Sequence, residues 1–363
     1  MEKLNSRLAN AALFGICLLL FGYLALIGKA LLLPVIFAIL FAFLLFPACA
    51  KVERWGLPRA LAILTVMLGA AILIGLLFWL ITTQFISLSQ DFADFKDKIF
   101  MLFYQTMEAL NSVDWIKENF ESIVKEGGTK ALSSAQQLIT STLSSGTLFL
   151  GYAGMMIVYL FLFLLYRSSF KHFIVERFEA DKQAQILKTL KGFQKVTQSY
   201  FGGLLLSILI IGSINSIGLL IIGLDHAFFF GFFAAFLTII PYVGTTIGGT
   251  LPFLYALLNY DDYWHAIAVL IMYQVVQLLE GNVITPKVVG SQVSINPLIA
   301  IFVLLFGAFF WGIPGMILAI PLTAILKVAL ESSKETEAYG HLLSNNFYAP
   351  ESKVNWKFWK KRP

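Results

Sequence analysis

The chain has 363 residues, 58% of them hydrophobic and only 13% charged, where a soluble domain carries about 25% charge. A soluble fold of this size would need a charged shell, so the composition argues against one and makes lipid the simpler solvent. The net charge of +5 is low for a nucleic-acid binder and is gathered into a few stretches.

Residues 8–28, 30–50, 60–90, 131–166, 196–224, 226–260, 263–279 and 288–326 contain no Asp, Glu, Lys or Arg. A bilayer-spanning helix needs about 20 apolar residues. Most of these runs qualify, 263–279 is at the short limit, and only parts of 60–90 and 131–166 are apolar. The reading is an all-α polytopic membrane protein with about eight hydrophobic segments. Its blocks are 1–83 (three helices), an insertion at 84–147, a core at 148–330 and a basic tail at 331–363.

The first run follows Lys3 and Arg7 and has no small-residue cleavage site after it, so it reads as a retained helix. Cys17 and Cys49 sit in the first two runs and read as small hydrophobes, with no disulfide framework. The loop 51–59 is basic, with Lys51, Arg54 and Arg59 against Glu53.

The insertion 84–147 has five lysines against eight acids. Phe85, Leu88, Phe92, Phe95, Ile99, Leu102 or Phe103, Met107 and Leu110 repeat at three-four spacing, which makes an amphipathic helix. A shorter helix with Trp115, Ile116, Phe120, Ile123 and Val124 ends at Gly127–Gly128. The stripe packs on itself or on a neighbouring subunit more readily than on lipid, because its polar face is acidic.

Helix 4 covers about 147–166. The segment 167–195 carries seven basic residues against three acids and reads as a cytoplasmic juxtamembrane helix, extending to about 197, that touches anionic headgroups. Helix 5 follows at about 198–222. Its Ser207, Ser213, Asn215 and Ser216 read more readily as glue between helices than as a path lining.

Positive charge marks the cytoplasmic side. The insertion is net −3, the segment 167–195 is +4 and the tail from Lys327 is +3. The tail ends Trp356–Lys357–Phe358–Trp359–Lys360–Lys361–Arg362. One topology fits: both termini inside, with 84–147, Asp225–His226 and Asp261–Asp262 outside.

Two charge-free stretches, 227–259 and 295–326, exceed one ordinary span. Each holds an Ile-Pro break beside a glycine: Ile240–Pro241–Tyr242–Val243–Gly244, and Ile313–Pro314–Gly315. Each has a further proline, Pro252 or Pro321. Proline removes a backbone donor, and freed backbone groups survive in a bilayer only where protein or a watery cavity meets them. Paired broken segments point to a transporter's binding site. Each stretch either crosses twice or forms a re-entrant hairpin. Thr245, Thr246, Gly248 and Gly249 would make a poor cytoplasmic loop, which favours hairpins.

Between them, Gln274, Gln277 and Glu280 recur at three-residue spacing and share a helix side, followed by Asn282, Thr285, Pro286, Lys287 and Gly290. A carboxylate near the end of an apolar span is costly and marks a functional site by default. Glu280 would bind a proton or cation, or pair with Lys287. The plainer alternative makes both residues headgroup anchors.

No GxxxxGK[ST] loop, CxxC pair or HExxH occurs, and His172, His226, His265 and His341 are scattered. No cofactor, metal or ATP-driven chemistry is expected, and no enzyme activity.

The sequence resembles the autoinducer-2 exporter family, also described as PerM-type permeases. The matching pieces are GLPR at 56–59, IPYVG at 240–244, EGNVITPKVVG at 280–290 and the run at 294–322. The resemblance implies a bacterial inner-membrane protein of several subunits that exports or exchanges a small solute without ATP. Members are linked to efflux of autoinducer-2 and others to sodium/proton antiport. The motif residues carried over are Pro241, Gly244, Glu280, Asn282, Pro286, Gly290 and Pro314. Expected partners are membrane lipid, a small-molecule or ion substrate and further copies of the chain, with no nucleic acid. A scaffold or channel-like assembly is the reading of another class.

Overall fold

A computed structural model describes residues 2–91, 146–239, 243–260, 262–284, 287–288 and 294–345. Every hydrophobic run identified above is helical there, because a chain with no water around it must satisfy its own backbone groups. The helices are α1 (Glu2–Ile27), α2 (Lys29–Arg54), α3 (Arg59–Asp91), α4 (Gly146–Leu165), α5 (Arg167–Glu176), α6 (Ala180–Ile222), α7 (Ala227–Leu237), α8 (Val243–Asn259), α9 (Tyr263–Leu279), α10 (Pro297–Glu331) and α11 (Glu337–Leu343). A π-helical turn, Glu280–Ile284, continues α9. By length and composition α2, α3, α6, α9 with its π turn, and α10 are each apolar enough to cross a membrane. The pair α4–α5, bent by 64°, is a sixth candidate. The chain is a multi-pass, all-helical membrane protein.

It divides into two compact units. The first comprises Ala30–Leu165 and Leu204–Thr285. Here α2, α3 and α4 pack around Ala38, Cys49, Ile63, Leu160 and Leu164. The GLPR piece has a visible job. Gly56 takes φ +96°, the left-handed conformation that ends a helix without a Cβ clash, and its N–H donates to Glu53 O at 3.0 Å. Arg59 then donates from Nη2 to Leu164 O at 3.2 Å. A cation thereby meets the negative, carbonyl end of α4.

The rest of this unit packs the C-terminal part of α6 with α7, α8 and α9 around Leu219, Phe230, Tyr255, Ala256 and Val269. Helices α7 and α8 lie against one another, so the stretch 227–259 is a helical hairpin. A Cβ on Gly248 would stand 2.6 Å from Ala234 Cβ, so the arms touch almost backbone to backbone. Their 11 and 17 residues give roughly 16 and 26 Å, each short of a hydrocarbon core of about 30 Å.

The open end of this hairpin is tied by polar contacts. Tyr260 Oη donates to Gly223 O at 3.0 Å and accepts from Asp225 N at 2.9 Å. The Tyr260 ring stacks on His265 at 4.2 Å. Asp262 caps α9, accepting from His265 N at 3.4 Å and lying 2.6 Å from its Nδ1. That hydrogen bond holds the Asp262 carboxyl below its ordinary value, while burial pushes the Tyr260 hydroxyl up.

The second unit comprises Met1–Lys29, Tyr166–Gly203 and Pro286–Pro363. Its centre is α10, which is not one rod. Gly312 has φ 63° and ψ −140°, and the chain folds back there. A Cβ on Gly307 would meet the Gly315 carbonyl oxygen and stand 3.2 Å from Ala319 Cβ. Twelve residues of straight helix would separate those positions by about 18 Å. The stretch 295–326 therefore also contains a helical hairpin, with arms at 297–311 and 313–331. Trp311 Nε1 donates to Ala25 O at 3.0 Å, which ties the first arm to α1. A short clasp closes the base: Ile295 bridges Ser344, Asn296 N donates to Leu343 O, and Lys327 Nζ donates to Ser294 O at 3.1 Å.

Two expectations change. The basic segment after 167 and the span after 198 are not separate helices: α6 runs unbroken over 43 residues from Ala180, because nothing between Lys182 and Ile222 is a proline or a turn cluster. Helix α3 also continues past residue 84 to Asp91. The remainder of the amphipathic insertion lies outside the described residues.

Candidate functional site

The tip of the α7–α8 hairpin and the end of α9 border a small, partly open cleft contained within the first unit. Four helices build it. Helix α6 contributes Ile211 and Asn215; α7 contributes Ala234, with Thr238 just beyond its end; α8 contributes Gly244; α9 contributes Tyr273, Val276 and Gln277, with Glu280 at the start of the π turn.

The α9 residues follow from helix geometry. Positions 273, 276, 277 and 280 are i, i+3, i+4 and i+7, one stripe of an α-helix. Three-residue steps drift by about 60° each, so Gln274 and Glu280 stand about 120° apart. Gln274 is exposed and is not part of the cleft lining. The wider π turn then begins at Glu280, a deformation frequent at functional sites.

Hydrogen bonding sorts the polar groups. Tyr273 Oη donates to Phe230 O at 3.4 Å, and Thr238 Oγ1 donates to Ala235 O at 2.6 Å. Both protons are committed to backbone. Asn215, only 2% exposed, has a buried Oδ1 with no partner among the described residues. No hydrogen bond or ion pair holds the Gln277 or Glu280 side chain among the described residues either. Glu280 is half-buried and is the one carboxylate in the lining. The cleft thus presents one acid and two amides whose hydrogen-bonding capacity the fold leaves open, beside apolar walls. That suits reversible binding of a small polar solute or a cation.

Gly244 is buried, and a Cβ there would run into the backbone of Leu237 and Thr238. The hairpin tip is closed that tightly beside the cleft. Asn282 is exposed and donates from Nδ2 to Leu278 O at 2.9 Å, a contact within its own helix end. Lys287, also exposed, belongs to the other unit, as do Pro314 and the buried Gly315. Pro241, Tyr242, Thr285, Pro286 and Gly290 lie outside the described residues. Among the described residues no three His, Cys, Asp or Glu side chains are grouped as metal ligands would be.

Sequence reasoning put Asn215 with the helix glue and gave Tyr273, Val276 and Thr238 no role. The stripe 273/276/277/280 is readable from spacing once Glu280 is taken as its anchor. Asn215 carries no such signal, since only the fold shows what its amide faces.

The profile of the AI-2E family transporters matches residues 15–335. The chain belongs to that family. It is 30% identical to YueF of Bacillus subtilis (strain 168) over 316 residues, covering 82% of this chain and 83% of YueF. It is 27% identical to YrrI of the same organism over 326 residues, 84% of this chain and 87% of YrrI. Both relatives are provisionally named as transport proteins. It is also 25% identical to the AI-2 transport protein TqsA of Escherichia coli (strain K12) over 318 residues, 87% of this chain and 90% of TqsA. This AI-2E family chain is accordingly a membrane transporter, and its cleft is read in that light.

Proposed function

We propose that this protein is an inner-membrane secondary transporter that exports a small hydroxylated solute of the autoinducer-2 type, with both termini cytoplasmic and several subunits in the assembly. The observation that carries the reading is the convergence of Asn215 Oδ1, Gln277 and Glu280, without side-chain partners among the described residues, on a cleft beside the tip of the α7–α8 hairpin. Glu280 is the titrating or ion-binding group, and Gln277 is its neutral neighbour. The basic segments at 51–59, 167–195 and the tail support the orientation. The name of TqsA, at 25% identity, supports the solute.

Glu280→Gln keeps the shape and removes the charge. Efflux from preloaded proteoliposomes is expected to fall to background while membrane insertion and Tm stay near the parent's. Normal flux in that variant would remove Glu280 from the path. A second reading, sodium or lithium/proton exchange, is favoured by the single carboxylate in the lining. Everted vesicles with a pH-sensitive dye separate the two: sodium-dependent proton release that Glu280→Gln abolishes selects exchange.

A further inference from the structure

We infer that Asn215 is a solute-contacting residue that selects for a transported solute carrying a hydrogen-bond donor; this rests on the cleft being the path. Three observations combine. Asn215 is only 2% exposed and is among the residues that line the cleft. Its Oδ1 has no donor among the described residues, and a buried unmet acceptor is unfavourable. The neighbouring donors are used elsewhere: the Tyr273 proton goes to Phe230 O and the Thr238 proton to Ala235 O.

A group glued to a neighbouring helix would have its partner there. Among the described residues Asn215 has none there, which leaves the cleft to supply it. A hydroxyl or N–H of the solute supplies it, and a solute without one leaves the acceptor buried and unmet. Such sites reject the analogue lacking the donor far more strongly than apolar pockets reject a missing methylene. Ser207, two turns earlier on α6, is also buried, its Oγ without a partner among the described residues, and Ile211 between them lines the cleft. The steps 207, 211 and 215 keep to one side of α6. The polar track therefore extends from Asn215 toward Ser207.

Stability and flux together make the test. Asn215→Leu, with the same branching and number of heavy atoms, removes the acceptor, which has no protein hydrogen bond among the described residues to lose. In the purified full chain Tm is expected to hold or rise slightly. Autoinducer-2 efflux and sodium/proton exchange are both measured, and whichever the parent shows is expected to rise tenfold or more in half-saturation. A fall in Tm of several degrees with proportionate loss of flux would make Asn215 a structural residue and overturn the inference.

Asn215→Cys in a Cys17→Ser/Cys49→Ser background gives a readout independent of the solute. A small, water-soluble methanethiosulfonate is expected to label it, as it labels Gln277→Cys. Labelling of Gln277→Cys alone would show that position 215 is closed to solute. Normal flux in Asn215→Leu with lost flux in Glu280→Gln would refute the role of Asn215 and leave the path standing. Normal flux in Glu280→Gln would instead strike at the acid's place in the path.

Discussion

The two hairpins carry the same sequence mark and solve it differently. In 227–259 helix α7 ends at Leu237 and α8 starts at Val243, and the cleft between them and α9 holds an acid and two amides without side-chain partners among the described residues. In 295–326 one residue, Gly312, makes the whole turn, and Pro314 sits in the first turn of the returning arm. A proline is tolerated there because its missing N–H would have had no helical partner. The arms of that second hairpin close on Gly307 and Gly315, and the clasp at Ser294, Leu343 and Ser344 pins its base. A Pro-Gly break thus marks a place where the chain reverses, and the neighbouring polar groups decide whether that reversal also binds something.

The contrast is broken most severely at the glycine crossing of the second hairpin. Gly315→Val puts a branched side chain into the Gly307 carbonyl, and overpacking of this kind typically costs about 1–3 kcal/mol or more. The expected outcome is a Tm lowered by many degrees, or loss of folded protein in detergent by size-exclusion chromatography. An unchanged melting curve would mean that the arms do not meet there.

Gly244→Ala strikes the first hairpin at its tip, where the added methyl meets Leu237 and Thr238 backbone. A stability loss of about 1–2 kcal/mol is expected, together with a fall in flux beyond what the melting curve accounts for. Equal, modest losses of flux in Gly244→Ala and in a Gly315 variant of matched Tm would erase the functional distinction between the hairpins.

Gly312→Ala sharpens the picture because no atom lies within 4 Å of the added Cβ. Only the backbone conformation is penalised, φ 63° with ψ −140° being close to a region that is essentially glycine's alone, by about 1–3 kcal/mol, so the variant should fold with a reduced Tm. Full loss of folding would point to a role beyond backbone conformation.

The smallest effect belongs to the cap at the open end of the first hairpin. The folded-state value of Asp262 is depressed, so its contribution is complete above the ordinary value of 3.8 and fades as pH falls through the lower folded value. Asp262→Ala should lower Tm by a few degrees at most at pH 7. The gap should narrow as the pH falls below 3.8, with the same unfolding assay as readout.

Much of this was legible beforehand. Runs such as 30–50 and 263–279 name their helices because an apolar chain in lipid has few alternatives. The Ile-Pro and glycine clusters identify the reversals for the same reason. The exact turn was harder: attention falls on Pro314 and Gly315, whereas the reversal is at Gly312, two residues before the proline. A glycine's φ is not written in its neighbours. Gln274, Gln277 and Glu280 are regular in sequence, but the drift of a real helix hands the first place in the stripe to Tyr273. The continuity of α6 was masked because a switch from basic to apolar composition looks like a boundary, while the backbone needs no break to change solvent.

A one-residue reversal at Gly312 also bears on how the protein is made. The arms 297–311 and 313–331 have no charged residue between Pro297 and Leu326 to steer them separately. With no connecting segment to thread, neither arm can be handed to lipid before the other. The pair must be laid into the bilayer together, already folded back on itself, behind the span that ends at Glu280.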